Sequence, residues 1–197
     1  MSSADNGERR LWLTPSSALD ALTRAIAAAP ATAVVLIDGP SGAGKSTLAD
    51  DLVASWPGAR APQLVRLDDI YPGWNGLDAG ARQVTESLLA PRLAGEPAAW
   101  QRWDWTTHTQ AEWHQVDAGQ PLIVEGCGAL ARANTPLSDI RIWLDADDQT
   151  RKTRALERDG GAFDAFWDQW QAEWEEYYRR ENPAEWATIR LFSSTGD

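Results

Sequence analysis

A short apolar run, Ala33 to Ile37, passes through Asp38 into Gly39-Pro40-Ser41-Gly42-Ala43-Gly44-Lys45-Ser46, and the stretch after it reads as a helix. Those eight residues satisfy G-x-x-x-x-G-K-S/T in full, in the strand-before, helix-after context that the pattern requires. Each residue type has a physical task. Glycines let the main chain turn its N–H groups inward as an anion nest, and the following helix N-terminus adds positive potential. The natural guest is a polyphosphate such as that of ATP. Lys45 is placed to reach its β- and γ-phosphates, and the Ser46 hydroxyl to join a Mg²⁺ shell. Only two of the eighteen basic side chains are lysines, Lys45 and Lys152, and one of them stands inside this motif.

The rest of the chain alternates strand and helix signals. Thr14 to Ala29 reads as a helix, stopped by Pro30. Leu48 to Trp56 continues as a helix after the glycines, Gln63 to Leu67 is a second strand, and Leu77 to Leu89 a helix ended by Pro91 and Gly95. Trp100 to Trp105 and Glu112 to Val116 read as a small hairpin. Leu122 to Val124 and Ile140 to Leu144 are further core strands, Thr150 to Arg158 and Phe163 to Arg180 helices, and Thr188 to Phe192 a last strand. Such alternation predicts an α/β fold: three layers, a mostly parallel sheet with helices on both faces, and ligands at the carboxyl ends of the strands. At 197 residues the chain is expected to form one domain, residues 1–197, with a core over 32–159, a Trp-rich hairpin insert over 98–117, and lid and C-terminal helices over 150–182.

Acidic residues at strand ends bear on the reaction. The second strand runs into Asp68-Asp69 and the third into Glu125, so a parallel sheet brings both sites beside the phosphate loop. One carboxylate can hold Mg²⁺ and another can accept the proton of an attacking hydroxyl. An aspartate at such a position also commonly caps a turn. Arg151, Arg154 and Arg158 recur on one helical face, where three guanidiniums suit phosphate, or else form a solvated basic face. If residues 103–108 are extended, Trp103 and Trp105 share one face and Asp104, Thr106 and His108 the other. His108 is equally compatible with an ordinary surface position. The twelve tryptophans supply buried area, or a wall for a flat ligand.

Composition removes several classes. A net charge of −11 leaves no broad basic face for nucleic acid. One cysteine and two histidines make neither a disulfide framework nor a structural zinc site. No apolar run is of membrane-spanning length, and the polar first ten residues lack a secretory signal, so the expected location is the cytoplasm.

These residues resemble the uridine kinase and phosphoribulokinase-like branch of the P-loop kinases, over about Val34 to Asp159. Gly39 to Thr47 is similar to that family's phosphate loop, and Leu67-Asp68-Asp69-Ile70-Tyr71 to its catalytic-base segment. The resemblance implies Asp68 as base, Tyr71 near the substrate, and a P-loop NTPase fold using ATP and Mg²⁺. Trp103-Asp104-Trp105-Thr106-Thr107-His108 resembles the family's substrate-contacting stretch, and Val124-Glu125-Gly126 its glutamate-bearing strand end. Asp145 to Asp159, with Arg151, Arg154 and Arg158, resembles the strand and lid helix that clasp ATP; Gly128 and Arg132 also match. The implied activity is transfer of the γ-phosphate to a hydroxyl of a small molecule, a nucleoside among the options. The implied contacts are Gly39, Ser41, Gly42, Ala43, Gly44, Lys45, Ser46, Thr47 and the three arginines to nucleotide, and Ser46, Asp68 and Glu125 to metal. Asp68, Tyr71, Trp103, Asp104, Trp105, His108 and Arg132 are assigned to the acceptor, and Lys45 and Arg154 join Asp68 in catalysis. A nucleotide-hydrolysing regulatory protein, or a nucleotide-binding module without an acceptor, is the alternative.

Overall fold

The computed structural model describes residues 15–158, 161 and 163–193. Strand β1 (Val34–Asp38) is its axis. All five of its residues are buried, as a strand covered on both faces requires. Side-chain alternation sends Val34 and Leu36 into one apolar layer and Val35 and Ile37 into the other. β5 (Leu122–Glu125) pairs with one edge of β1 and β6 (Ile140–Ala146) with the other, both parallel. β2 (Gln63–Arg66) and β7 (Ile189–Ser193) complete a five-stranded parallel sheet in the order β2-β5-β1-β6-β7.

One layer of helices consists of α1 (Pro15–Ala27), through Leu22 and Ile26, and α2 (Lys45–Ala54), through Leu48 and Leu52. The opposite layer contains α3 (Leu77–Gln83) and α6 (Trp167–Glu181), the latter through Trp167, Trp170 and Tyr177. The expected three-layer fold is borne out. α5 (Asp148–Arg158) follows β6, and a short α7 (Pro183–Trp186) leads into β7.

Two elements differ from the sequence expectation. Pro91 does not end its helix: α3 runs through a π-helical segment, Val84–Leu89, into α4 (Ala90–Ala94). Proline is tolerated in the first turn after such a wide segment, because a helical N–H is missing there in any case. Gly95, at φ 72°, makes the stop. The hairpin strands are longer than expected, β3 (Ala98–Asp104) and β4 (Thr109–Val116), with an irregularity between Gln101 and Trp103. Asp104 ends β3, and residues 105–108 form a turn in which His108 is left-handed at φ 54°. The two-faced extended reading of 103–108 therefore fails beyond Asp104.

Candidate active site

The phosphate loop leaves the carboxyl end of β1 and feeds directly into α2, whose first turn contains Lys45 and Ser46. Two of its glycines are obligatory. A Cβ on Gly39 would lie 1.9 Å from the Leu144 carbonyl oxygen, and one on Gly42 2.0 Å from that of Arg151. Gly42 also sits at φ 80°. Strand β6 and helix α5 thus press on the loop from behind, and only residues without a side chain fit.

Behind the loop, buried Asp38 accepts from the N–H groups of Gly39 (2.6 Å) and Leu130 (2.8 Å) and from the Tyr177 hydroxyl (3.0 Å). One carboxyl therefore ties β1, the segment after β5 and α6 together. Cys127 fills the space beside it, its Sγ 3.3 Å from the Gly39 carbonyl oxygen. Lys45 Nζ donates to the Pro40 carbonyl (3.0 Å) and lies 3.6 Å from Cys127 Sγ. Burial pulls the Lys45 ammonium down, but Cys127, Glu125, Asp68 and Asp38 together hold it above its ordinary 10.5. Burial also pushes the Cys127 thiol up, against the pull of the Lys45 ammonium.

A cavity of about 270 Å³ opens over the loop, lined by Ser41, Gly42, Gly44, Lys45, Ser46 and Thr47. Asp68, Glu125 and Arg154 close its other side. Ser46 Oγ donates to Glu125 Oε1 at 3.0 Å, and Arg66 Nη1 reaches the same oxygen at 3.2 Å. Burial, and then Asp68, raise the Glu125 carboxyl above its ordinary value, against Lys45, Ser46 and Arg66. Among the described residues no group of three His, Cys, Asp or Glu side chains could hold a metal by itself. A hydroxyl and a carboxylate 3.0 Å apart nevertheless offer hard oxygen ligands of the kind Mg²⁺ takes when phosphates and water complete its shell.

Asp68 occupies a short 3₁₀ turn, Leu67–Asp69, directly after β2. It lines this cavity and also a second one of about 520 Å³, as does Ser41. The second cavity has aromatic walls: Tyr71, Trp74, Trp105, Phe163, Phe166 and Trp170, with Asp69 and His108 at its polar part. Trp105 Nε1 donates to the Asp68 carbonyl at 2.8 Å and Trp170 Nε1 to Ser41 Oγ at 2.9 Å, so the walls are pinned to both acidic turn and phosphate loop. The buried Tyr71 hydroxyl donates to the Cys127 carbonyl at 2.6 Å.

Several expected site residues lie elsewhere. Arg151 sits under the loop rather than in the cavity: its guanidinium donates to the Ser41 carbonyl (3.2 Å) and Asp148 (2.6 Å) and covers Trp174. It shapes the loop. Gly39 and Ala43 form the loop without lining the cavity. Asp104 is not turned to an acceptor. Its carboxylate accepts from the N–H groups of Thr106 (2.9 Å) and Thr107 (3.1 Å), the short-range competition that makes aspartate a turn residue. Trp103 lies in β3 and lines neither cavity, whereas Trp105 stands in the turn that follows the strand. Arg132 is drawn off to Trp186, 5.6 Å from that ring. The Arg158 side chain and Asp159 lie outside the described residues.

Sequence reasoning missed Trp74, Phe163 and Phe166 as cavity walls and Asp38 as a staple. For Trp74 a signal existed, since it follows Asp68-Asp69 and Tyr71 closely.

An AAA domain family model matches residues 35–165. The uridine kinase of Lactobacillus helveticus is 28% identical over 141 residues, covering 64% of this chain and 67% of that protein. The uridine kinase of Streptococcus mutans is 26% identical with the same coverage. A structure described as that of a possible uridine kinase from Bacillus stearothermophilus superposes with a TM-score of 0.62 at 18% identity, covering 89% of this chain and 98% of that one, and so shares its fold. The likeness to uridine kinases drawn from the motifs is borne out. With the match running from β1 past the end of α5, most of the chain, the protein belongs to the AAA domain family.

Proposed function

We propose that the protein is an ATP-dependent phosphotransferase that moves the γ-phosphate of ATP to a hydroxyl of a small molecule. One observation carries the reading: a phosphate-loop cavity and a second, acceptor-sized cavity meet at Asp68. A nucleotide-hydrolysing switch has no use for the second.

The chemistry follows from the positions. Loop N–H groups and the α2 N-terminus bind the β- and γ-phosphates, and the Lys45 ammonium moves from the Pro40 carbonyl to them. Ser46 and Glu125 would hold Mg²⁺, which when bound would supply neutralisation of the charge that develops during transfer. Arg154, on the cavity wall, stabilises the transferring group. An acceptor hydroxyl entering from the aromatic side meets Asp68, which takes its proton as the oxygen attacks phosphorus and ADP leaves. Asp69 lines only the aromatic cavity and is assigned to acceptor binding.

ADP release that depends on an added hydroxyl compound tests the reading. Asp68→Asn should slow transfer at least about a hundredfold while leaving Mg·ATP binding intact, and Lys45→Ala should cripple turnover. Loss of transfer in Asp69→Asn but not in Asp68→Asn would move the base by one residue. ADP release that ignores every acceptor would replace the transferase by a hydrolase.

A further inference from the structure

The aromatic cavity has a definite charge character. Trp74 lies parallel to Phe163 and Phe166, with centroids at 5.0 and 4.8 Å, and Trp105 closes on it at 4.8 Å. Aromatic rings therefore make up most of the wall. Three of their polar groups are committed: the indole N–H groups of Trp105 and Trp170 and the Tyr71 hydroxyl all donate within the protein. Few donors remain to read the edge of a neutral base or to hold a carboxylate or phosphate.

The charged groups that line this cavity are Asp68 and Asp69, and no Lys or Arg is found among its described lining residues. Arg66, Arg102 and His114 favour the Asp69 anion through space, but the two arginines make their ion pairs with other carboxylates. Arg66 is held by Asp50 at 2.6 Å and by Glu125, and Arg102 by Glu112 at 2.7 Å. Although Asp69 is solvent-exposed, partial loss of water and then Asp68 raise its carboxyl above the ordinary range, a cost that an incoming positive charge would relieve. Aromatic faces attract organic cations by as much as about 2 kcal/mol when desolvated, and two neighbouring carboxylates act in the same direction.

We infer that the acceptor is an organic cation, a flat nitrogen ring or quaternary ammonium carrying a primary hydroxyl, with its charge among Trp74, Trp105 and Asp69 and its hydroxyl at Asp68. The inference rests on the phosphotransferase reading and narrows it. Anionic acceptors, such as sugar phosphates and hydroxy acids, are repelled by the same two carboxylates.

Three probes of matched shape test charge alone: para-hydroxymethyl-N-methylpyridinium, para-methylbenzyl alcohol and para-hydroxymethylbenzoate. Binding is measured by calorimetry on the full chain, loaded with Mg²⁺ and a non-hydrolysable ATP analogue, with uridine as a fourth arm. The cation is expected to bind at least about tenfold tighter than the neutral alcohol, and the benzoate not to bind. Asp69→Asn, at an exposed position, is expected to shrink the cation-to-neutral ratio at least threefold, and Trp74→Leu to shrink it further. Equal or tighter binding of the alcohol, the benzoate or uridine overturns the inference, as does an unchanged ratio in Asp69→Asn. If the ATP analogue binds and no cation does, the acceptor class is wrong while acceptor-dependent ADP release still decides the transferase. If the analogue itself fails to bind, the phosphotransferase reading falls first.

Discussion

Gly42 shows how much can depend on a missing side chain. Its backbone is left-handed and the Arg151 carbonyl occupies the place of a Cβ, so a methyl group must displace main chain rather than a flexible side chain. Gly42→Ala is expected to destabilise the protein by at least about 2 kcal/mol, read by urea denaturation, and to weaken nucleotide-analogue binding in calorimetry. The motif fixes Gly39 and Gly44 but leaves Gly42 at one of its four variable positions, so only the glycine-rich character of the loop hinted at it. Asp38 was not legible: one acidic residue after an apolar run reads as a strand end, and its partners at Leu130 and Tyr177 come from distant parts of the chain. Arg151 shows the converse. Helical spacing placed it beside Arg154, but spacing does not say that α5 packs with Arg151 beneath the loop.

Elements were easier to read than their junctions. Alternation marked β1, β5 and β6 because each must satisfy two apolar layers. The hairpin ends and the helix around Pro91 were misread, because an irregular strand and a π segment are local accommodations with no periodic signature. The hairpin offers an electrostatic prediction. Arg102 Nε and Nη2 grip the Glu112 carboxylate at 2.7 and 3.1 Å and hold its pKa down at about 2, below the ordinary 4.5. A depressed carboxylate contributes stability above pH 4.5 that is lost as the pH falls toward 2. Carboxyl NMR titration should find Glu112 near 2, and Arg102→Ala should return it to the ordinary range. Because both groups are substantially exposed, Glu112→Gln should leave the Tm at neutral pH nearly unchanged.

At the scale of the molecule, α6 is fastened to the centre of the sheet. Tyr177 reaches Asp38 and Trp170 reaches Ser41, so the helix that walls the acceptor cavity also braces the phosphate loop. Tyr177→Phe keeps the ring packing and removes one hydrogen bond to a buried carboxyl. It is expected to cost about 2 kcal/mol in urea unfolding, with a smaller loss if Asp38→Asn is already present, since the two share one interaction. The aromatic cavity itself was largely hidden in the sequence, because its aromatic walls come from the turn after β2, the hairpin turn and the segment leading into the start of α6, three segments brought together only by the fold. In the sheet, β1 is flanked by β5 and β6, which begin only at Leu122 and Ile140, far later in the chain. A ribosome therefore releases the most water-averse strand long before either of its partners exists. Until Ile140–Ala146 has emerged, the nascent chain carries Val34–Ile37 unsheltered, where a chaperone would find it.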